Sequence, residues 1–248
     1  MKTRLDQLLV DRGLAESRER AKALIIAGQV LVDRQKSDKP GHAVAADANV
    51  ELLEKLPYVS RGGVKLAGAL DHFKIDVSDW ICLDVGSSTG GFTECLLQRG
   101  AARVVAIDVG RGQLDWRLRN DPRVEVREGI NARYLAAADF DTRFDLAVCD
   151  VSFISATLIL PKIAELLAPQ GRMVILVKPQ FEVGKGQVGK GGIVRDPALH
   201  QAACDRVTEA ARELGFETAI VESPITGAEG NREFLLYAGG RDLSRAWL

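Results

Sequence analysis

The sequence predicts an α/β protein: a doubly wound, mostly parallel sheet with a terminal antiparallel strand, preceded by a small α+β domain. Three observations carry this. From residue 81 onward, strand-like runs ("ICLDV", "RVVAIDV", "VEVREGI", "FDLAVCD", "RMVILVK") alternate in part with helical stretches ("GFTECLLQRG", "ISATLILPKIAELLA", "PALHQAACDRVTEAARELG"), the pattern of βαβ units. The last two strand-like runs, "FETAIVESP" and "REFLLYAG", are joined by too few residues for a parallel crossover, so they should pair antiparallel. The residues before about Leu56 have a different texture, and "PYVSRGG" marks the boundary with a proline, a serine and two glycines. The expected organisation is a first domain over 1–56, a linker over 57–64 and the sheet domain over 65–248.

Length and composition agree with a folded two-domain chain. The 248 residues are 46% hydrophobic and 27% charged, which disfavours disorder and fibrous classes. No apolar run approaches the roughly 18 residues of a membrane helix. Asp6 and Asp11 interrupt the N-terminal apolar stretch that a secretory leader would need, so a cytoplasmic protein is expected. Cys82, Cys95, Cys149 and Cys204 are far apart and read as small buried hydrophobes. His42, His72 and His200 are equally isolated, and no metal site is expected.

In the first domain, "TRLDQLLVDRG" places Leu5, Leu8 and Leu9 at helical spacing, with Thr3 as the cap and Gly13 as the stop. A second helix runs from the capping Ser17 to Gly28 and carries Arg18 and Lys22 on one side, away from Ala21, Leu24 and Ile25. Short strands, "QVLVD" and "NVELL", follow around a turn-rich segment. The net charge of −1 argues against a nucleic-acid binder, yet residues 1–65 carry 12 Lys+Arg against 9 Asp+Glu, so the positive surplus sits at the N-terminus. Charge alone leaves a solvated face and an RNA-binding face about equally open. The order "RLDQLLVDRGLAESRERAKALIIAGQVLVD" resembles the ribosomal-protein-S-four-type RNA-binding domain. That resemblance implies contacts to folded RNA from Arg4, Ser17, Arg18, Arg20 and Lys22.

The turn "GSSTGGFT" follows the strand "ICLDV" and opens a helix, at the strand end where such sheets bind ligands. Gly86, Gly90 and Gly91 let backbone approach a ligand, with Ser87, Ser88, Thr89 and Phe92 between and after them. Their intervals do not match the dinucleotide fingerprint G-x-G-x-x-G, so a pyrophosphate is disfavoured. Asp108, ending the next strand, is placed for ribose hydroxyls. Asp84, just inside the first strand end, could pair with an ammonium group. The turn is therefore expected to hold the amino-acid end of S-adenosylmethionine.

Further strand ends carry charge. "LAVCDVSF" closes on Asp150 and "VILVKPQFE" on Lys178, both at the ligand edge, and Glu233 opens a strand that runs the other way, so it starts at that edge too. Lys65 in "RGGVKL" is the fourth candidate. The set "RGGVKL", "DVGSSTGGFT", "CDVSFIS", "VKPQFE" and "GNREF" resembles the TlyA family, relatives of the FtsJ-type RNA 2′-O-methyltransferases. The resemblance covers nearly the whole chain. It implies a Rossmann-like methyltransferase fold and a Lys-Asp-Lys-Glu tetrad of Lys65, Asp150, Lys178 and Glu233. Lys178 would be the general base, Lys65 and Glu233 would orient the ribose, and Asp150 would hold the lysines. It also implies a cofactor wall of Asp84, Gly86, Ser88, Gly90, Phe92 and Asp108, with Asn131 near the adenine.

Pro179 to Asp196 reads as a long glycine-rich loop carrying Lys185, Lys190 and Arg195, a mobile clamp on the target nucleotide. The family resemblance implies ribosomal RNA or ribosomal subunits as partner, with cytidine 2′-hydroxyls as targets, and the short ends of the chain favour the large subunit. Two other readings stand beside it: a membrane-acting haemolysin, for which no membrane segment is found, and an RNA-binding assembly factor without activity.

Overall fold

The computed structural model describes residues 2–26, 29–52, 57–227 and 230–240, and only the backbone of Lys185. The chain forms two compact units that divide between Leu56 and Pro57.

In the first unit, β1 (Lys2–Arg4) leads directly into α1 (Leu5–Asp11), and α2 (Arg18–Ile26) follows. Strands β2 (Val30–Val32), β3 (Gln35–Lys36), β4 (Ala43–Ala45) and β5 (Val50–Leu52) complete it. Leu5, Leu8, Leu9, Ala21, Ile25 and Val30 form its core. Thr3 is not a cap: it pairs with Val44 in the antiparallel β1–β4 ladder, and the helix starts one residue after Arg4. Ser17 does cap α2, its Oγ accepting the Arg20 N–H at 3.2 Å. Gly28, the expected stop of α2, lies outside the described residues.

The second unit opens with α3 (Arg61–His72), which begins inside the stretch expected as linker. Then come β6 (Ile81–Val85), α4 (Gly91–Gln98), β7 (Arg103–Asp108), α5 (Trp116–Arg119), β8 (Val124–Glu128) and β9 (Phe144–Cys149). They are followed by α6 (Leu160–Leu166), β10 (Leu167–Val177), α7 (Pro179–Glu182), α8 (Pro197–Glu213), β11 (Glu217–Glu222) and β12 (Phe234–Gly239). Across the sheet the order is β11-β12-β10-β9-β6-β7-β8. The pairings from β8 to β10 are parallel; β12, last in sequence, lies antiparallel between β10 and β11. The order reverses beside β6, which is the crevice-forming arrangement of doubly wound sheets.

Period-two alternation sorts the strand side chains onto two helical layers. Leu83, Val85, Val105, Ile107, Ile175 and Val177 pack on one face with Leu160, Ile163 and Val207. Cys82, Val104, Leu146, Val174 and Leu176 pack on the other with Leu66, Leu70 and Leu96. All four cysteines are buried and unpaired.

Candidate active site

Four charged residues reach one edge of the sheet because the strand registers deliver them there. Val85 pairs with Cys149 and Val177 with Phe234, so Gly86, Asp150, Lys178 and Glu233 stand just beyond the last rungs. The Asp150 N–H donates to the Val85 carbonyl at 2.9 Å, which carries the β6–β9 ladder one residue further.

The four charges form two ion pairs. Lys178 Nζ lies 2.5 Å from Asp150 Oδ1 and donates to Ser152 Oγ at 2.9 Å. Lys65, on the inner face of α3, puts Nζ 2.5 Å from Glu233 Oε2, and both residues are more than nine-tenths buried. Removing one member of such a buried pair would strand the other charge, so each residue fixes its partner's side chain.

Beside the Lys178–Asp150 pair opens a cleft of about 520 Å³, lined by Gly86, Ser88, Ile107, Asp108 and Asn131 and by the segment from Asp150 to Ile154. That volume is within the usual range for a small-molecule site. Gly86 has φ +85°, and a Cβ there would lie 2.4 Å from the Asp150 carbonyl oxygen, so only glycine lets β6 turn at this point. Each Asp108 oxygen accepts one backbone N–H, from Ser88 at 2.8 Å and from Gly110 at 2.6 Å. A carboxylate oxygen has lone pairs for more than one donor, so Asp108 can still accept ribose hydroxyls. Asn131 Oδ1 caps the short helical turn at 132–134 through the Arg133 N–H.

The other turn residues sit differently. Asp84 shares the face of Cys82 and is fully buried, with the Thr93 hydroxyl donating to Oδ2 at 2.6 Å and no hydrogen-bond partner for Oδ1. Burial pushes its carboxyl up to about 7; the Thr93 bond opposes this and the nearby Asp150 and Asp108 add to it. Asp84 thus lies under the turn rather than on the cleft wall. Phe92 is 3% exposed and packs in the core against α3, so it supports the turn from below. Gly91 makes the α3–α4 approach possible, since a Cβ there would meet Ser60 Oγ at 2.2 Å. Ser87 is buried, Gly90 starts α4 in the left-handed region, and Thr89 is exposed. None of Ser87, Thr89, Gly90 and Gly91 is among the described residues that line the cleft.

In the first unit, Arg4 and Arg18 converge on the fully buried Asp6. Arg4 reaches both carboxylate oxygens at 3.0 Å and Arg18 reaches Oδ2 at 3.1 Å. The Arg4 hydrogen bonds hold Asp6 at about 2. Arg20 and Lys22 are exposed on α2, whereas Ser17 has its hydroxyl engaged as the helix cap.

The FtsJ-like methyltransferase family matches residues 58–240 and the S4 domain matches residues 3–50. The 16S/23S rRNA (cytidine-2′-O)-methyltransferase TlyA of Mycobacterium tuberculosis is 49% identical over 239 residues, covering 95% of this chain and 89% of that protein. The chain belongs to the TlyA family. Hemolysin A of Brachyspira hyodysenteriae is 43% identical, covering 94% of this chain and 98% of that protein. A solved structure described as a hemolysin of Streptococcus thermophilus superposes with a TM-score of 0.76 at 46% identity, covering 97% of this chain and 89% of that one. Among the described residues of this TlyA-family chain, no helix is long and apolar enough to cross a membrane.

Several site residues of this TlyA-family protein escaped the sequence reading. Ser152 and Phe153 line the cleft two and three residues after Asp150, and Phe153 is 92% exposed at φ +65° with its ring 5.2 Å from that of Phe181. A large apolar side chain so exposed, in a backbone region unfavourable to it, is a recognisable mark of a ligand-facing residue. Only the structure reveals it, since the segment has no period. The segment 179–196 is also more structured than a plain loop: it contains α7 and a helical turn at 185–187, and at Gly191 and Gly192 its backbone is left-handed. Lys190 is exposed on it, and the Lys185 side chain lies outside the described residues.

Proposed function

We propose that this protein transfers the methyl group of S-adenosylmethionine to the 2′-hydroxyl of a cytidine in ribosomal RNA, with Lys178 as the general base. The observation that carries this reading is the Lys178–Asp150 ion pair beside a cleft lined by Gly86, Asp108 and Asn131.

The residues present fit the cofactor. Asp108 would take the ribose hydroxyls, Ile107 and Ile130 offer apolar surface to the adenine, and the unpartnered Asp84 Oδ1 beneath the turn would face the ammonium. When bound, the cofactor supplies an electrophilic methyl on a sulfonium. The chain has to bring the ribose in line and remove its proton, because an alcohol is a poor nucleophile. Lys178 Nζ would accept the proton of the ribose hydroxyl. Asp150, 2.5 Å away, would hold Lys178 Nζ in place at the cleft. Lys65 and Glu233 would orient the ribose. Phe153 presents a ring face on which an unstacked base can lie. Arg4 and Arg18, spread by Asp6, with Arg20 and Lys22, would bind RNA phosphates from the S4 domain.

An enzyme acting on ribosomes would work in the cytoplasm. The decisive experiment is transfer of labelled methyl to isolated ribosomal subunits and to naked ribosomal RNA, followed by nucleoside analysis. Labelled 2′-O-methylcytidine is expected, with the large subunit as the preferred substrate. Lys178→Ala should abolish transfer and leave cofactor affinity nearly unchanged. Cofactor binding without transfer by the wild type would instead favour an assembly role.

A further inference from the structure

The segment 184–194 follows the short helix behind Lys178 and is fastened at its far end by one buried side chain. Asn231 Oδ1 accepts the Val194 N–H at 3.1 Å, and its Nδ2 donates to the Gly192 carbonyl at 3.1 Å. His200 adds a separate fastening, its Nε2 meeting the Val194 carbonyl at 2.8 Å. The near end is fixed as well: Glu182 accepts from the Ser155 hydroxyl and the Ala156 N–H, and its carbonyl accepts from Arg206 at 2.9 Å.

Asn231 has a second attachment. Its own carbonyl accepts the Gly227 N–H at 2.7 Å. Gly227 lies against the carboxylate that holds Lys65: a Cβ on it would lie 2.0 Å from Glu233 Oε1 and 2.5 Å from its Cδ. Asn231 is therefore bonded through its side chain to the glycine-rich segment and through its backbone to the wall of the Lys65–Glu233 pair. It is 4% exposed, so an alternative set of partners in water is not at hand.

We infer that Asn231 is a positioning residue that couples the seating of the 184–194 segment to the geometry of the Lys65–Glu233 pair. The inference rests on the proposed RNA methyl transfer for its consequence: exposed Lys190 within the segment and Arg195 just after it would take RNA phosphates, and Asn231 would pass the resulting constraint to Glu233. The pair would then be aligned best when RNA occupies the segment.

The test compares wild type, Asn231→Ala, Asn231→Asp and His200→Ala by hydrogen exchange and by single-turnover methyl transfer. In Asn231→Ala, amide exchange should rise at least tenfold both in 189–195 and at Gly227, and transfer at saturating RNA should fall at least tenfold, with cofactor Kd within twofold. His200→Ala loosens the segment and keeps Asn231, so it should raise the KM for RNA more than it lowers kcat. Asn231→Asp retains the acceptor for Val194 and should lie between wild type and Asn231→Ala, which guards against a variant that simply misfolds. Faster exchange confined to 189–195, with kcat unchanged, would reduce Asn231 to a loop anchor and overturn the coupling. Hydrogen exchange needs no substrate, so a wild type that transfers no methyl but shows coupled exchange would refute the assigned reaction and leave the coupling standing.

Discussion

Asp84→Asn isolates a carboxyl that the fold holds under strain. The wild-type group is fully buried, bonded only to Thr93, and pushed up to about 7 by burial, whereas an unfolded aspartate titrates near ~4. Between those values the folded state keeps a proton that the unfolded state has lost, so stability must fall as pH rises, by ~1.4 kcal/mol per pH unit. The full loss by pH 8 is about 4 kcal/mol, of which about 2 kcal/mol falls above pH 5.5. Asparagine is isosteric, can still accept the Thr93 hydroxyl and does not titrate. Urea unfolding of both proteins at pH 5.5 and pH 8 should therefore show the variant gaining about 2 kcal/mol on the wild type over that interval, since all other titrating groups cancel in the difference. Parallel pH dependences, within about 0.5 kcal/mol, would refute the assigned burial effect. The same group gives a binding signature. A cofactor ammonium over Asp84 favours the carboxylate, so at pH 7 wild type should release about half a proton per cofactor bound, read by calorimetry in buffers of different ionisation heat. Asp84→Asn should release none.

Other perturbations follow from single contacts. Gly86→Ala forces a left-handed residue against the Asp150 carbonyl, and should cost at least ~2 kcal/mol in thermal unfolding together with loss of cofactor binding. Arg18→Glu with Lys22→Glu should weaken RNA binding in a filter or gel assay while cofactor affinity is unchanged; unaltered RNA affinity would make that face of α2 mere solvated surface. Asp6, depressed to about 2 by its Arg4 bonds, contributes stability that is complete above ~4 and disappears only as pH falls towards 2. Asp6→Asn should remove that acid-side dependence and weaken RNA binding. The four cysteines should resist thiol reagents in the native protein, because burial raises Cys95 to about 11, Cys204 to about 12, and Cys82 and Cys149 further still.

The parts legible in the sequence are those with a strong local signal. Seven strand-like runs became seven strands, the central ones because continuous apolar runs suit burial on both faces between two helical layers, and strand-end charges are conspicuous after such runs. What was illegible depends on distant partners. Thr3 lacks any local sign of its ladder with Val44, so it read as a cap. The start of α3 read as linker because Gly62 and Gly63 look like breakers, whereas Gly63 is small to admit the Tyr58 ring, which a Cβ would meet at 2.2 Å. The charged candidates could be named one by one, but their pairing as Lys65 with Glu233 and Lys178 with Asp150 comes from helix placement and register. Asn231 drew no notice, since a polar residue in a turn is ordinary until its neighbours are known.

The strand Phe234–Gly239 sits between two strands made before it. On the ribosome, the edge of Leu167–Val177 lacks this partner until that strand arrives, and the Lys65–Glu233 pair cannot form before then. Synthesis of this chain therefore withholds one of the site's two ion pairs until nearly all of the sheet exists. The same order exposes an unpaired strand edge to self-association during the interval. A chain stalled just short of residue 233 should be both catalytically silent and prone to aggregate.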